Sequence, residues 1–267
     1  MRMLQGQAAI VTGAGRGFGR AIAERLAAEG AAVTLAARSR AQVNAVAAAI
    51  SAGGGRAFAA AGDVTERSDV GRIVRAAEDA FGPVTLLVNN AGLAGPFGPI
   101  GMVDPDEWWA AQAVHVRGPL LFMSAVLPAM RERRAGRIVN VASRGGREVT
   151  PHLSAYGVGK NTEIRLTQHI AAENKAFGIA AFAIEPGTAV TDMLDGTLAS
   201  PDAQRWVPAM LESLARLKRE QPDPAPVFGR CGQMCVDLAS GRYDALSGFY
   251  LEPNDDFDAL LRDAARS

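Results

Sequence analysis

Thr12-Gly13-Ala14-Gly15-Arg16-Gly17-Phe18-Gly19 is the stretch on which the architecture hinges. The apolar run Ala8–Val11 precedes it. The pattern Phe18–Glu29 follows, with Ile22 and Leu26 one helical turn apart and Gly30 as a stop signal. Strand, glycine-rich turn and helix in that order make an anion site. Glycines let the backbone turn tightly and approach a ligand with no Cβ in the way. The opening turn of the helix offers free N–H groups and partial positive charge to a phosphate. The same residues away from a strand and a helix would be only a tight turn.

The same alternation extends along the chain. Candidate strands follow at Ala32–Ala37, Arg56–Ala60, Leu86–Asn89, Arg137–Val141, Ala180–Ile184 and Gly248–Leu251. Most are continuously apolar, as strands covered on both faces are. Between them lie helical patterns. Asp69–Phe81 puts Val70, Ile73, Val74 and Ala77 on one face and ends at Gly82-Pro83. Asp104-Pro105 is a cap followed by proline at the first helical position, and that helix runs toward Arg133. The order predicts an α/β fold, a doubly wound parallel sheet of about seven strands with helices on both faces. The 267 residues suit one such domain. One stretch breaks the rhythm: Asp192–Phe228, with five prolines, is too long for a connector and reads as a lid inserted before the last strand.

Composition excludes several classes of partner. Basic and acidic residues balance at 28 each. That leaves neither the electrostatic footprint of a nucleic-acid binder nor a polybasic membrane patch. No apolar run reaches the ~20 residues of a membrane helix, and the N-terminus has no signal-peptide core. Cys231 and Cys235 stand four apart, on one helix face, and match no zinc or redox template. They read as small core residues in a reducing cytoplasm, and no metal is expected.

The second strand ends Ala36-Ala37-Arg38. A dinucleotide fold specific for NAD(H) carries an acid there for the ribose 2′-hydroxyl. Here Arg38, with Arg16, can pair with a 2′-phosphate instead. The expected preference is NADP(H), with NAD(H) possible; a solvated surface role is the alternative for Arg38.

The turn Thr12–Gly19, Asn89-Asn90-Ala91-Gly92 after the fourth strand, Ser143, and Tyr156-x-x-x-Lys160 together resemble a short-chain dehydrogenase/reductase with a single Rossmann domain. The resemblance covers about Gln5 to Leu251. It implies an oxidoreductase that interconverts a ketone or aldehyde and an alcohol by hydride transfer. Tyr156 and Lys160, four apart, share a helix face. An ammonium ~4 Å from a phenolate at an effective dielectric of ~20 is worth ~4 kcal/mol. That would lower the tyrosine pKa by up to ~3 units before desolvation is counted, giving an acid–base usable near neutral pH. Ser143 can donate to the substrate oxygen as charge develops.

Other roles come from the resemblance alone. It implies that Gly13, Gly15, Gly17, Phe18 and Gly19 form the cofactor turn, that Asp63 and Val64 hold the adenine, and that Asn90, Ala91 and Gly92 wall the cofactor. Pro186, Gly187, Ala189 and Thr191 would meet the nicotinamide carboxamide, with Tyr156 and Lys160 also touching the cofactor. The family places an asparagine where Val114-His115-Val116-Arg117-Gly118 has His115. The carbonyl of that asparagine anchors a water linking the lysine to solvent. His115 reads either as a satisfied core histidine or as a group that contacts Lys160 or titrates itself. Family members are commonly tetramers or dimers, and the helices after the fourth and fifth strands would form the interface.

Around the mouth should lie Leu93–Pro99, Arg144–His152 and Asp192–Phe228. Arg144, Met193, Trp206 and Met210 are the substrate-side candidates. Trp206, Met210 and Leu214 recur at helical spacing, as a water-excluding lid or as packing. Arg144 can greet a polar or acidic substrate, or be a surface residue. The acidic stretch Glu252–Asp258 caps either the site or a subunit interface. Two rivals remain: a non-redox lyase or dehalogenase on the same scaffold, and a cofactor-binding regulator without turnover.

Overall fold

A computed structural model describes residues 2–266. The strands are β1 (Ala8–Thr12), β2 (Ala32–Ala37), β3 (Arg56–Ala61), β4 (Leu86–Asn89), β5 (Gly136–Val141), β6 (Ile179–Ile184) and β7 (Tyr250–Leu251). They form one sheet in the order β3-β2-β1-β4-β5-β6-β7, and every pairing is parallel. Boundaries differ from the sequence expectation by a residue or two, which is where element ends are least well defined.

The period-two geometry of the strands divides the core. Ala9, Val11, Leu86, Val88, Val139, Val141, Phe182 and Ile184 point to one face. They pack there with α1 (Gly17–Ala28), α2 (Arg40–Ala52) and α10 (Ala225–Ala239). Ile10, Leu87, Ile138 and Ala181 point to the other, against α3 (Arg67–Phe81), α5 (Gly118–Arg133) and α6 (Ser154–Asn174). Both faces are covered, so the central strands are mostly apolar, with Thr12, Asn89 and Asn140 as buried polar exceptions. β3 is the exception: it lies at the sheet edge, and Arg56 and Phe58 are exposed.

A continuous helix, Pro105–Arg133, follows β4; by length and composition it could cross a membrane. The sequence reading found no apolar run of that length, because polar residues interrupt this one. In the fold its apolar residues Leu121, Phe122, Met123, Val126 and Met130 are core. The helix is α4 (Pro105–Gln112), a π turn at Ala113–Arg117, then α5. Gly118 N–H bonds back to the Ala113 carbonyl, five residues earlier. Pro119 has no N–H to give the His115 carbonyl, so the ordinary register is lost there.

The irregular stretch is three helices, α7 (Asp192–Ala199), α8 (Pro201–Trp206) and α9 (Pro208–Glu220), leading into α10. The acidic stretch after β7 opens a further helix, α11 (Phe257–Ala264), which Asp256 caps by accepting from Ala259 N–H. Cys231 and Cys235 are free and buried on α10.

Candidate active site

The strand order reverses between β1 and β4, and an open α/β sheet has its crevice beyond that point. Thr12 closes β1. Its hydroxyl accepts from the Asn90 and Ala91 amides at 2.9 and 3.1 Å, and the Asn90 side chain donates to the Thr12 carbonyl at 2.9 Å. The glycine turn is thereby stitched to the end of β4.

Three of the turn glycines are required by geometry. Gly13 and Gly17 have φ +65° and +54°. At Gly19 a Cβ would collide with the Gly13 carbonyl and lie 2.5 Å from Asn90 Nδ2. Gly15 is met by Gln42 of α2, and Thr191 lies over Gly17. Arg16, at the N-cap of α1, makes no side-chain cap, and among the described residues no side chain accepts from the first-turn amides of Gly17, Phe18 and Gly19. A bare cradle and an uncapped helix N-terminus fit a pyrophosphate.

Both ends of the 192–228 segment are tied to this turn. Asp192 pairs with Arg16 at 2.7 Å, and Phe228 packs edge-on against Phe18 at 5.0 Å. The Arg16 guanidinium is thus paired with α7 at the surface, both side chains being exposed. Arg38, just past β2, is exposed and makes no ion pair among the described residues. Asp63 turns back on Thr65, accepting from its amide and hydroxyl at 2.9 and 2.8 Å. Val64 is buried against Gly118. Past β6, Gly187 has φ +88°, Ala189 is buried, and Thr191 caps α7 by accepting from Leu194 N–H at 3.2 Å. Pro186 begins this segment. Gly92 faces the His115 ring, with Lys160 Nζ 3.6 Å from where its Cβ would stand.

Ser143 follows β5 and caps a short 3₁₀ turn, its hydroxyl accepting from Gly145 N–H at 3.2 Å. A Cβ on Gly145 would lie 3.2 Å from Tyr156 Cε1 and 3.7 Å from Ser143 Oγ, so the two side chains converge on one spot. Lys160, one turn along α6, has its Nζ 5.9 Å from the Tyr156 ring centre. The three groups are together at the rim of the crevice.

The electrostatics differ from the sequence expectation. Burial pushes the Tyr156 phenol up from its ordinary range. Lys160 and the Ser143 hydroxyl pull it down, but Glu163 and Glu185 oppose them, and the net shift is upward. Sequence reasoning missed both carboxylates. Glu163 is three residues past Lys160, on the same helix face, and helical spacing alone could have found it. It is bonded to Lys160 through both oxygens, at 3.1 and 3.0 Å. Glu185, one residue past β6, is buried and accepts from Arg144 N–H and, at 3.0 Å, from the Tyr250 hydroxyl. No local pattern marks it. His115 is fully buried, its ring edge-on to Tyr156 at 5.6 Å and its Nδ1 3.3 Å from Glu163 Oε1. Glu163 therefore stands between His115 and Lys160, in contact with both.

On the substrate side, Trp206, Met210 and Leu214 are half-buried. Met210 and Leu214 join Phe97, Leu153, Val207, Leu211 and the Tyr156 ring in one apolar cluster. Trp206 packs on His152 at 5.4 Å. Met193 is exposed on α7. Arg144 is not free: Glu252 holds it at 3.3 Å and Arg147 at 3.5 Å. Among the described residues no group of three His, Cys, Asp or Glu is placed to hold a metal.

Fold and site together define a Rossmann-type oxidoreductase. The chain matches the family described as short chain dehydrogenase over residues 7–201. It is 32% identical to a short chain dehydrogenase of Pseudocercospora fijiensis across 98% of this chain and 85% of the relative. With a 2-(S)-hydroxypropyl-CoM dehydrogenase of Xanthobacter autotrophicus it shares 36% identity over 75% of this chain and 80% of that one. The crystal structure of a gluconate 5-dehydrogenase from Burkholderia cenocepacia, in complex with NADP and tartrate, superposes with a TM-score of 0.79 at 27% identity. That match covers 94% of this chain and 95% of the other. The protein belongs to the short-chain dehydrogenase family, which implies a nicotinamide cofactor.

Proposed function

We propose that the protein is a carbonyl reductase or alcohol dehydrogenase that prefers NADP(H). The observation that carries the reading is the convergence of Ser143, Tyr156 and Lys160 beside the bare glycine turn. The bound nicotinamide supplies or accepts the hydride at the substrate carbon. Tyr156 gives a proton to the carbonyl oxygen in reduction and takes it back in oxidation. Ser143 donates to the same oxygen and steadies it as charge develops. Lys160 holds the cofactor ribose and draws the phenol toward ionisation. The uncapped amides of Gly17–Gly19 would hold the pyrophosphate, Asn90, Ala91 and Gly92 would wall the cofactor, and Pro186–Thr191 would meet the nicotinamide.

Arg38, free beside Ala37 where no acid stands, supports the NADP(H) preference, as does the NADP in the gluconate dehydrogenase neighbour. NAD(H) remains a weaker alternative. The apolar cluster reaching the Tyr156 ring supports an apolar to moderately polar ketone or alcohol, closed over by the 192–228 segment as a lid. Two buried free thiols suit a reducing cytoplasm.

The test is absorbance at 340 nm with a panel of carbonyls and alcohols. Tyr156→Phe should lose at least about 100-fold in turnover, the low end of general acid–base catalysis, while the cofactor still binds. Retained turnover removes Tyr156 as the acid. Cofactor binding without turnover of any substrate would favour a regulator.

A further inference from the structure

Glu185, one residue past β6, is 8% exposed and bonded on three sides. Its own amide donates to the Leu251 carbonyl at 2.8 Å, which fixes its stem to the end of β7. Oε2 accepts from the Arg144 amide and, at 3.0 Å, from the Tyr250 hydroxyl. Oε1 accepts from the Gly187 amide at 3.3 Å. Arg144 donates to it through the backbone, while its guanidinium reaches Glu252. The Tyr250 ring packs with Ala142, Ile164 and Ala183 and braces the carboxylate.

Two of these donors belong to peptide planes at the site. The Arg144 N–H is part of the peptide that leaves Ser143. The carbonyl of that peptide accepts from Gly146 N–H at 2.8 Å, so the plane is held at both ends. The Ser143 hydroxyl hangs from the Cα that begins this plane. The Gly187 N–H is part of the peptide that follows Pro186, in the segment assigned to the nicotinamide. All three side-chain partners of Glu185 are donors, and a carboxylate accepts through both oxygens and donates through neither. An amide side chain of the same shape has one accepting and one donating head. On one side it would set N–H against N–H, and that peptide would have to turn away.

We infer that Glu185 is a positioning residue: its two oxygens hold the Ser143 turn and the Gly187 turn at a fixed separation, which sets the substrate oxygen in register with the nicotinamide. The inference rests on the proposed function, which gives Ser143 and Pro186–Thr191 those roles. Glu185 acts through Ser143. Hydride transfer needs the reacting atoms about 3–3.5 Å apart, and a misplacement of about 1 Å can lower the rate about 100-fold.

The experiment compares Glu185→Gln and Glu185→Asp with the unmodified protein, by steady-state carbonyl reduction with NADPH and by NADPH fluorescence. Glutamine keeps the shape and loses one acceptor. Aspartate keeps both acceptors and, one methylene shorter, cannot reach both turns; it decides the matter should the glutamine variant fold poorly. Each should lower kcat by about 10- to 100-fold while NADPH still binds. The second arm repeats the substitution in a Ser143→Ala background. A carboxylate that only supports the fold would cost the same factor with or without the Ser143 hydroxyl. A carboxylate that places that hydroxyl should cost about threefold or less once it is gone, because residues that act as a unit are not additive. Losses that multiply in full, or a kcat unchanged in the Glu185 variants, overturn the inference and leave the proposed function standing. An unmodified protein that turns over no carbonyl or alcohol takes the proposed function and this inference together.

Discussion

Tyr156 keeps its proton to a higher pH than a free tyrosine, because burial outweighs the pull of Lys160 and Ser143. The sign sets the direction of the pH dependence. Reduction needs the phenol and oxidation needs the phenolate. Carbonyl reduction should therefore stay level through neutrality and fall only as pH approaches the tyrosine range near 10. The kcat/KM for alcohol oxidation should climb throughout that interval. Steady-state rates in both directions between about pH 6 and 10 check this, and a reduction limb that falls below about pH 8 contradicts it. Arginines make a second residue-scale case. Arg16 and Arg38 looked equivalent in the sequence, but Asp192 holds only Arg16. Arg38→Ala should raise the KM for NADPH about tenfold, as befits the loss of a charge-assisted phosphate contact, and leave that for NADH nearly unchanged. Equal effects on both cofactors would remove Arg38 from the 2′-phosphate.

At the scale of elements, the turn between β1 and α1 is the least tolerant piece of the fold. Gly19→Ala sets a Cβ against the Gly13 carbonyl, backbone against backbone, so nothing can swing aside. It should cost ~1–3 kcal/mol in urea unfolding, the usual range for overpacking, and weaken cofactor binding. Gly196→Ala on α7, where a Cβ meets nothing within 4 Å, is the control and should be neutral or slightly stabilising. The elements themselves were mostly legible from local pattern, because strand and helix periods come from the chain's own geometry. The π turn at Ala113–Arg117 was not. Pro119 hinted at a break in the ladder, but the turn's consequence, His115 set against Glu163 on α6, belongs to packing between helices. The lid region was legible only as an irregularity, since the partners of Asp192 and Phe228 lie on the far side of the sequence.

Across the whole molecule, the helices after β4 and β5 leave large apolar side chains uncovered. Trp109, Leu120 and Val158 are 66%, 47% and 46% exposed on α4, α5 and α6. Large apolar side chains exposed on these helices support, as a proposal, the dimer or tetramer that the family resemblance implies. Sedimentation should find the unmodified protein as a dimer or larger and Leu120→Glu shifted toward monomer. A monomeric unmodified protein would set the proposal aside. By itself the sequence determined the alternation of strands and helices, the glycine turn, and the shared face of Tyr156 and Lys160, for each follows from neighbours within one turn or one strand. Only the tertiary structure decided which charges meet across the chain: Arg16 with Asp192, Arg144 with Glu252, and His115 with Glu163. Coulombic and hydrogen-bond energies are set by separations of a few ångströms, and for residues far apart in the chain only the packing of helices on the sheet fixes those.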